Sequence, residues 1–452
     1  MRPNGAARYD EALKWIHSTM RFGSRPGLER IGYLLRLLGD PQICCEYLHI
    51  AGTNGKGSVT AMIANALRAC GYRTGMYISP YLEDFRERIS LNGRMIPESD
   101  LVEMVDEVRP KVQEMLSLGH EHPTEFEVIT ALAFLYYKLR DCDYVSLEVG
   151  LGGRFDATNV VTPAVSTITT ISFDHTDRLG DTLAQIAFEK AGIIKPGVPV
   201  VTGVTAREPL EVIRRRAQEL GAPVFIVADS SGADVTWREV SYSMDGQVID
   251  VFGPNFTYKG LEVPLRGRHQ QQNAALAIAS LELARPRNRR RTLYLDRSAV
   301  AHGIATTAWP GRFEVLSRNP TVILDGAHNP DGARVLAEAM KDVPRKRLIC
   351  VLGILGDKEY KQVTAKIASM CDTVVVTRPE TPRALDPSML AEEVRRYVSD
   401  VEVQPDIGKA IDLALAKADP EDVVLCCGSL YLVGPARTYF RSKLGITGKR
   451  GE

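Results

Sequence analysis

Neither sign of charge dominates this chain. It has 56 lysines and arginines against 56 aspartates and glutamates in 452 residues. No net field therefore draws the whole molecule toward nucleic acid or an anionic membrane surface, and a charged ligand must be met locally. No stretch of about 18 apolar residues occurs to span a bilayer, and the opening MRPNGAARYDEALKWIHS lacks the apolar region of a signal peptide. The eight cysteines include no C-x-x-C pair, and several lie in apolar strand-like runs, the usage of reduced, buried thiols rather than of a disulfide framework. Neither an internal repeat of roughly 20–50 residues nor a low-complexity segment is found. The expectation is a soluble, cytoplasmic protein with no nucleic-acid or membrane partner.

What is present is a large apolar complement, 44% of 452 residues. Single cores stop growing near ~250–300 residues, so two domains are expected. Residues 46–78 read as strand, glycine loop, helix and strand, the helix carrying Val59, Met62, Ile63, Ala66, Leu67 and Cys70 at helical spacing. Helical blocks follow over 98–118 and 126–139, then apolar strand runs over 144–149, 165–171 and 198–204. Strands separated by helices imply a mainly parallel sheet with ligands beyond the carboxyl ends of its strands. Residues 235–265 alternate instead, with turn signals at Asp245-Gly246 and Lys259-Gly260, and predict a small antiparallel excursion. After a helix over 274–284, the arginine-rich RPRNRRRTLYLDR reads as a solvated loop and is assigned no site. Beyond Trp309-Pro310-Gly311 a second alternation begins, with strands near 322–324, 348–352, 373–377 and 423–427 and helices starting near Asp331, Glu359, Asp386 and Ile407. The fold class is α/β, a mainly parallel sheet of P-loop type followed by a smaller, Rossmann-like doubly wound domain, divided as 1–305 and 306–452.

The strongest chemical signal is AGTNGKGS, residues 51–58, between a strand over 47–50 and the helix just described. Glycines let backbone N–H groups of Thr53, Asn54, Gly55, Gly57 and Ser58 turn toward a polyphosphate, the helix amino end adds positive partial charge, and Lys56 supplies a full one. Ser58 or Thr53 is placed to help hold magnesium. Ile50 stands where the general phosphate-loop pattern wants its first glycine, and Gly57 separates Lys56 from Ser58. A second signal is LEVGLGGRFDATN, residues 147–159, in which Glu148 closes an apolar strand. A carboxylate so placed serves either as a magnesium ligand or as a structural acceptor.

The form GTNGKGS is similar to the phosphate loop of the Mur ligase superfamily, and LEVGLGGRFDATN resembles the signature of its folylpolyglutamate synthase and dihydrofolate synthase branch. Asp174-His175 and Glu189-Lys190-Ala191-Gly192-Ile193 follow in the same order. The resemblance implies a central ATP-binding domain with pterin-binding loops, a C-terminal ligase domain and an active site in the cleft between them. It assigns magnesium to Ser79, Glu148 and His175, a carbamate to Lys190, and ATP contacts to Asn273, Arg312 and Asp325 besides the phosphate loop. It brings His328 to the interdomain site, where a helix cap is the alternative. It gives the pterin to residues 22–26, to Thr124, Glu125 and Phe126, and to Phe155 and Asp156. Phenylalanine rings can stack on a flat heterocycle and acids can accept its N–H groups; burial in the core is the other use of such rings.

The resemblance further implies an ATP-dependent amide ligase that adds L-glutamate to dihydropteroate, to folate, or to both through an acyl phosphate. Its expected partners are small molecules, with ATP and Mg2+, and a monomer is expected because two domains can build the site within one chain. The competing expectations are a Mur-type ligase for a UDP-muramyl peptide or amino-acid polymer, and a nucleotide-gated binding protein without turnover.

Overall fold

A computed structural model describes residues 5–23, 25–286 and 293–446 of the chain. Residues 287–292, most of the arginine-rich run, lie outside the described residues, as does Ser24 within the 22–26 segment.

The first sheet has eight strands. From one edge, Arg94–Met95, Ile89–Leu91, Thr74–Tyr77 and Tyr144–Glu148 lead to the central Glu46–Ala51, followed by Val165–Ile168, Val200–Thr202 and Val224–Ile226. The first two form an antiparallel hairpin edge, and the other six run parallel. Chain order reverses around Glu46–Ala51, whose neighbours are Tyr144–Glu148 and Val165–Ile168. Ligands bind at such a switch point, outside the carboxyl ends of the strands. Tyr144–Glu148 is buried along its length, as expected of a strand covered on both faces. One cover is the helix Lys56–Ala69, which buries Val59, Met62, Ile63, Ala66 and Leu67, the predicted stripe. The other is Glu125–Leu139, started by a capping box in which Thr124 and Glu127 exchange hydrogen bonds.

The antiparallel excursion is a three-stranded sheet of Thr236–Ser243, Gly246–Phe252 and Thr257–Val263. Its turn at Asp245-Gly246 is where the sequence predicts one. The second turn is not: Gly260 lies inside the third strand at φ 64°, opposite a register shift, with its N–H donated to Asp250 Oδ1 at 2.9 Å. Lys259-Gly260 is a β-bulge, and the chain turns at 253–256 instead.

The second sheet has the order Glu314–Arg318, Thr321–Asp325, Val423–Cys427, Leu348–Leu352, Thr373–Val376, Asp400–Val403, parallel after its antiparallel first pair. Its core joins Ile323, Leu348, Cys350, Leu352, Val374 and Leu425 to helices on one face, and Ile411, Val433 and Phe440 cover the other. Among the described residues, no helix is long and apolar enough to cross a membrane.

Candidate active site at the meeting of two sheets

Four neighbouring strands of the first sheet deliver the site. Glu46–Ala51 runs into the phosphate loop, Thr74–Tyr77 leads to Ser79, Tyr144–Glu148 ends on Glu148, and Val165–Ile168 leads to Asp174 and His175. The loop's glycines are steric necessities. A Cβ on Gly52 (φ 150°) would sit 1.8 Å from Thr169 Oγ1, and one on Gly57 would meet the Trp309 ring at 2.7 Å. Gly55, at φ 85°, faces Asn273 Oδ1, and Asn273 is itself held by Nδ2 donating to Gln270 Oε1 at 2.8 Å. Thr53 Oγ1 donates to Ser172 O and accepts from Ser172 N, both at 3.1 Å, so this hydroxyl staples the loop to its neighbour. Ser58 Oγ accepts from Gln270 Nε2 at 3.3 Å.

The charges of the loop are tightly coupled. Lys56 Nζ donates to Gly52 O at 3.0 Å and Thr53 O at 3.1 Å, and Lys190 Nζ donates to Gly52 O at 2.8 Å. Burial, then repulsion from Lys56, lowers the Lys190 pKa to about 7. Burial lowers that of Lys56 too, against the attraction of Glu148 and Asp174. Burial raises Glu148 to about 7, opposed first by Lys56. Glu148 accepts one hydrogen bond, from Ser79 N at 3.3 Å, and has no ion pair among the described residues. Lys56 and Glu148 thus line one cavity of about 290 Å³, with Ser79, His175, Asn273 and Lys190.

The second sheet closes that cavity with Arg312, Asp325 and His328. Asp325 accepts Phe313 N at 2.9 Å and Ala327 N at 2.8 Å, which fixes the loop that carries His328. His328 is not the helix cap. Asn329 caps Pro330–Lys341 by accepting Gly332 N, while His328 Nδ1 meets Gly326 O at 2.8 Å and Nε2 lies 3.7 Å from Asp174 Oδ2. Asp174 also takes Lys358 Nζ at 2.6 Å and Asn329 Nδ2 at 3.1 Å. Burial alone would raise its pKa, but His328, Lys358 and His175 outweigh burial and hold it far below the usual carboxylate range. His175 has left-handed backbone at φ 50°. Burial lowers its pKa to about 4, and its Nε2 lies 3.0 Å from Lys358 Nζ.

A second cavity of about 700 Å³ adjoins the first, sharing Ser79, Pro80, His175, His328 and Leu430. Thr124, Phe126, Phe155 and Asp156 line it. Phe126 packs against the backbone of Gly150, where a Cβ would lie 2.5 Å from the ring. Phe155 is 44% exposed under the Arg154 guanidinium, and Asp156 caps the turn Ala157–Val160. Glu125, the first residue of its helix, meets His17 Nδ1 at 2.8 Å and is not part of the cavity lining, whereas Glu127 is. Of the 22–26 segment, Gly23, Arg25 and Pro26 line the wall, whereas Phe22 stacks on His122 at 4.0 Å. Sequence reasoning also missed Lys358 and Asn329. Both lie in loops that follow parallel strands, Thr321–Asp325 and Leu348–Leu352, but nothing local in the sequence ties either one to Asp174.

The Mur ligase middle domain matches residues 50–281, and the Mur ligase glutamate ligase domain matches residues 311–430. The dihydrofolate synthase/folylpolyglutamate synthase of Bacillus subtilis is 38% identical over 95% of this chain and 98% of its own length. This chain belongs to the folylpolyglutamate and dihydrofolate synthase family of Mur ligases. Among solved structures, the Mycobacterium tuberculosis folylpolyglutamate synthase complexed with ADP and AMPPCP is 34% identical and covers 99% of this chain and all 100% of that one, with a TM-score of 0.89. Escherichia coli FolC in complex with DHPP and ADP is 32% identical, covers 96% and 98%, and has a TM-score of 0.85. As a member of this family the chain is an ATP-dependent ligase.

Proposed function

We propose that this ligase joins L-glutamate to dihydropteroate, to the γ-carboxyl of a reduced folate, or to both, with ADP and phosphate as the other products. The observation that carries the reading is the junction of two cavities: Lys56 and Glu148 face one, the loop 150–156 and Phe126 face the other, and Ser79 lines both. A triphosphate in the first and a pterin-bearing acid in the second bring the γ-phosphate to a carboxylate.

The carboxylate oxygen attacks the γ-phosphorus, ADP leaves, and the glutamate amine then attacks the acyl carbon to expel phosphate. No covalent enzyme nucleophile is required. Lys56 and the N–H groups of the helix amino end neutralise phosphate charge, and Arg312 forks onto phosphate oxygens from the opposite wall. Asn273 and Asp325 border the nucleotide, and His328 stands where the two cavities meet. Closure of the second sheet over the first excludes water from a hydrolysable acyl phosphate.

Ser79 and Glu148 would hold magnesium: a buried carboxylate with a single hydrogen bond and no ion pair among the described residues suits a hard cation. His175 completes the set only if Lys358 withdraws from its Nε2. Held there, the cation would supply positive charge to offset that of the phosphates. Lys190, an amine lowered to about 7 beside the loop, is suited to carry a carbamate. We assign the division into domains at 305/306, monomeric action and cytoplasmic location to the same reading.

The test is incubation with ATP, glutamate and either dihydropteroate or tetrahydrofolate. ADP should form only when pterin and glutamate are both present, and product mass separates one addition from a ladder. ADP release with a UDP-muramyl peptide instead, or nucleotide binding without turnover, would refute the proposal.

A further inference from the structure

The wall of the larger cavity carries several cations, and all but one already have an anion. Arg25 meets Glu121 at 3.3 Å, Arg154 meets Glu189 at 2.7 Å, Arg178 meets Asp177 at 3.6 Å, Lys358 meets Asp174 at 2.6 Å, and Arg383 pairs with Asp357. Arg88 is the exception. It has no ion pair among the described residues, and its Nε is buried without a hydrogen-bond partner. A buried, unpaired guanidinium N–H costs free energy unless something with an anionic oxygen meets it.

The local structure holds Arg88 in place without satisfying it. The turn Phe85–Arg88 opens on a capping box between Asp84 and Glu87, and Glu87 takes the backbone N–H groups of Leu82, Glu83 and Asp84. Arg86, two residues earlier, is used up on Asp84 at 2.7 Å. Arg88 is stacked 5.2 Å from the Tyr81 ring and 5.9 Å from Phe85, which orients its plane. Its carbonyl accepts Ile78 N at 3.1 Å, one residue before Ser79, so it stands beside the residue that lines both cavities. Its charge also reaches Glu148, across that junction.

Resting on the ligase reading above, we propose that Arg88 is a substrate-binding residue that grips the carboxylate of the pterin-bearing acid. A planar guanidinium matches a carboxylate through two parallel N–H···O bonds, and a stacked one loses little freedom on binding. Lysine at this position would keep the charge and lose the fork.

The experiment compares pteroic acid with its neutral carboxamide by direct binding, without nucleotide and with chelator present. Wild type should bind the acid more tightly than the amide. Arg88→Gln should bind the amide as wild type does and the acid at least about 30-fold more weakly, the low end for losing one partner of a buried charge pair. Arg88→Lys should fall between, and both variants should bind ATP normally, which shows that they fold. An unchanged preference for the acid in Arg88→Gln, or equal loss of acid and amide, overturns the role of Arg88. Failure of wild type to bind either compound would instead sink the proposed pterin-acid substrate, and this inference with it.

Discussion

The ammonium groups of Lys190 and Lys56 donate to one acceptor, the carbonyl oxygen of Gly52, at 2.8 and 3.0 Å. Two cations on one carbonyl repel. Lys56 has Thr53 O as a second acceptor and Glu148 as its strongest electrostatic support, while the largest charge acting on Lys190 is the repulsion of Lys56.

The Lys190 pKa falls from the ordinary 10.5 to about 7 on folding. Between those values the unfolded chain binds more protons than the folded one, so stability rises with pH across the window. In CO2-free buffer, the denaturation midpoint of wild type should climb more steeply from pH 7 to 10 than that of Lys190→Met. Equal slopes would show a normally charged lysine. With isotope-labelled bicarbonate, a carbamate resonance should be present in wild type and absent from Lys190→Met.

Lys56→Met and Glu148→Gln should each lower the rate of pterin-dependent ADP formation by about 100-fold or more, the scale of losing one donor or charge aimed at the reacting centre. Near-ultraviolet circular dichroism should stay at the wild-type spectrum, since neither change removes apolar packing. Chelation of divalent cations should stop wild-type turnover as well. Near-normal rates in either variant would remove these residues from the mechanism.

Asp174→Asn tests the junction of the two sheets. The side chains of Asp174 and Lys358 are 10% and 5% exposed, and removing the acid leaves the ammonium without its 2.6 Å partner. Breaking one side of a buried pair costs about 3 kcal/mol or more. The calorimetric transition should move to lower temperature, with more loss in Asp174→Asn than in the double variant Asp174→Asn with Lys358→Met, which leaves no orphaned charge. Equal losses would mean that the pair is not coupled.

The sequence is readable where backbone geometry forces the residue and opaque where a pair is assembled from distant loops. The phosphate loop is legible because only glycine fits at 52 and 57, and Glu148 because a buried strand ends on it. Lys358 meets Asp174 across 184 residues, and no local pattern encodes that meeting. The helix expected to begin at 274 begins at His269, because Gln270, Gln271 and Asn273 are buried polar residues that interrupt the apolar stripe. Glu125 and Glu127 look alike in a row of letters, but the first starts the helix and meets His17 of another helix, while the third position folds back over its own cap. The helices Gly5–Ser18, Glu29–Leu37 and Arg207–Glu219 were not expected, though their apolar residues pack on the cores.

Gly434 gives a prediction of opposite sign to helix propensity. Alanine normally stabilises a helix interior by about 1 kcal/mol over glycine. Here a Cβ would lie 1.9 Å from Leu82 O, because the helix Leu430–Lys443 packs backbone to backbone against the loop after Ser79. Gly434→Ala should therefore lower the melting temperature and raise the KM for ATP, by pushing Arg312 away from Lys56. Its isolated helix should be no less helical than wild type by circular dichroism.

His49 lies fully buried in the central strand Glu46–Ala51, with Nε2 2.8 Å from Thr158 Oγ1 and no partner on Nδ1. Burial, assisted by Lys195, lowers its pKa from 6.5 to about 3. Between those values the unfolded chain binds the extra proton, so the contribution of a neutral His49 is complete above pH 6.5 and declines as pH falls. One such group steepens the loss by at most about 1.4 kcal/mol per pH unit. His49→Gln cannot be protonated, so its stability should fall less steeply than wild type between pH 6.5 and 4, whatever its absolute value at neutral pH. His269, lowered to about 4 by burial, remains in both proteins and leaves a residual slope. Parallel curves for wild type and His49→Gln would mean that the imidazole titrates alike in the folded and unfolded chains.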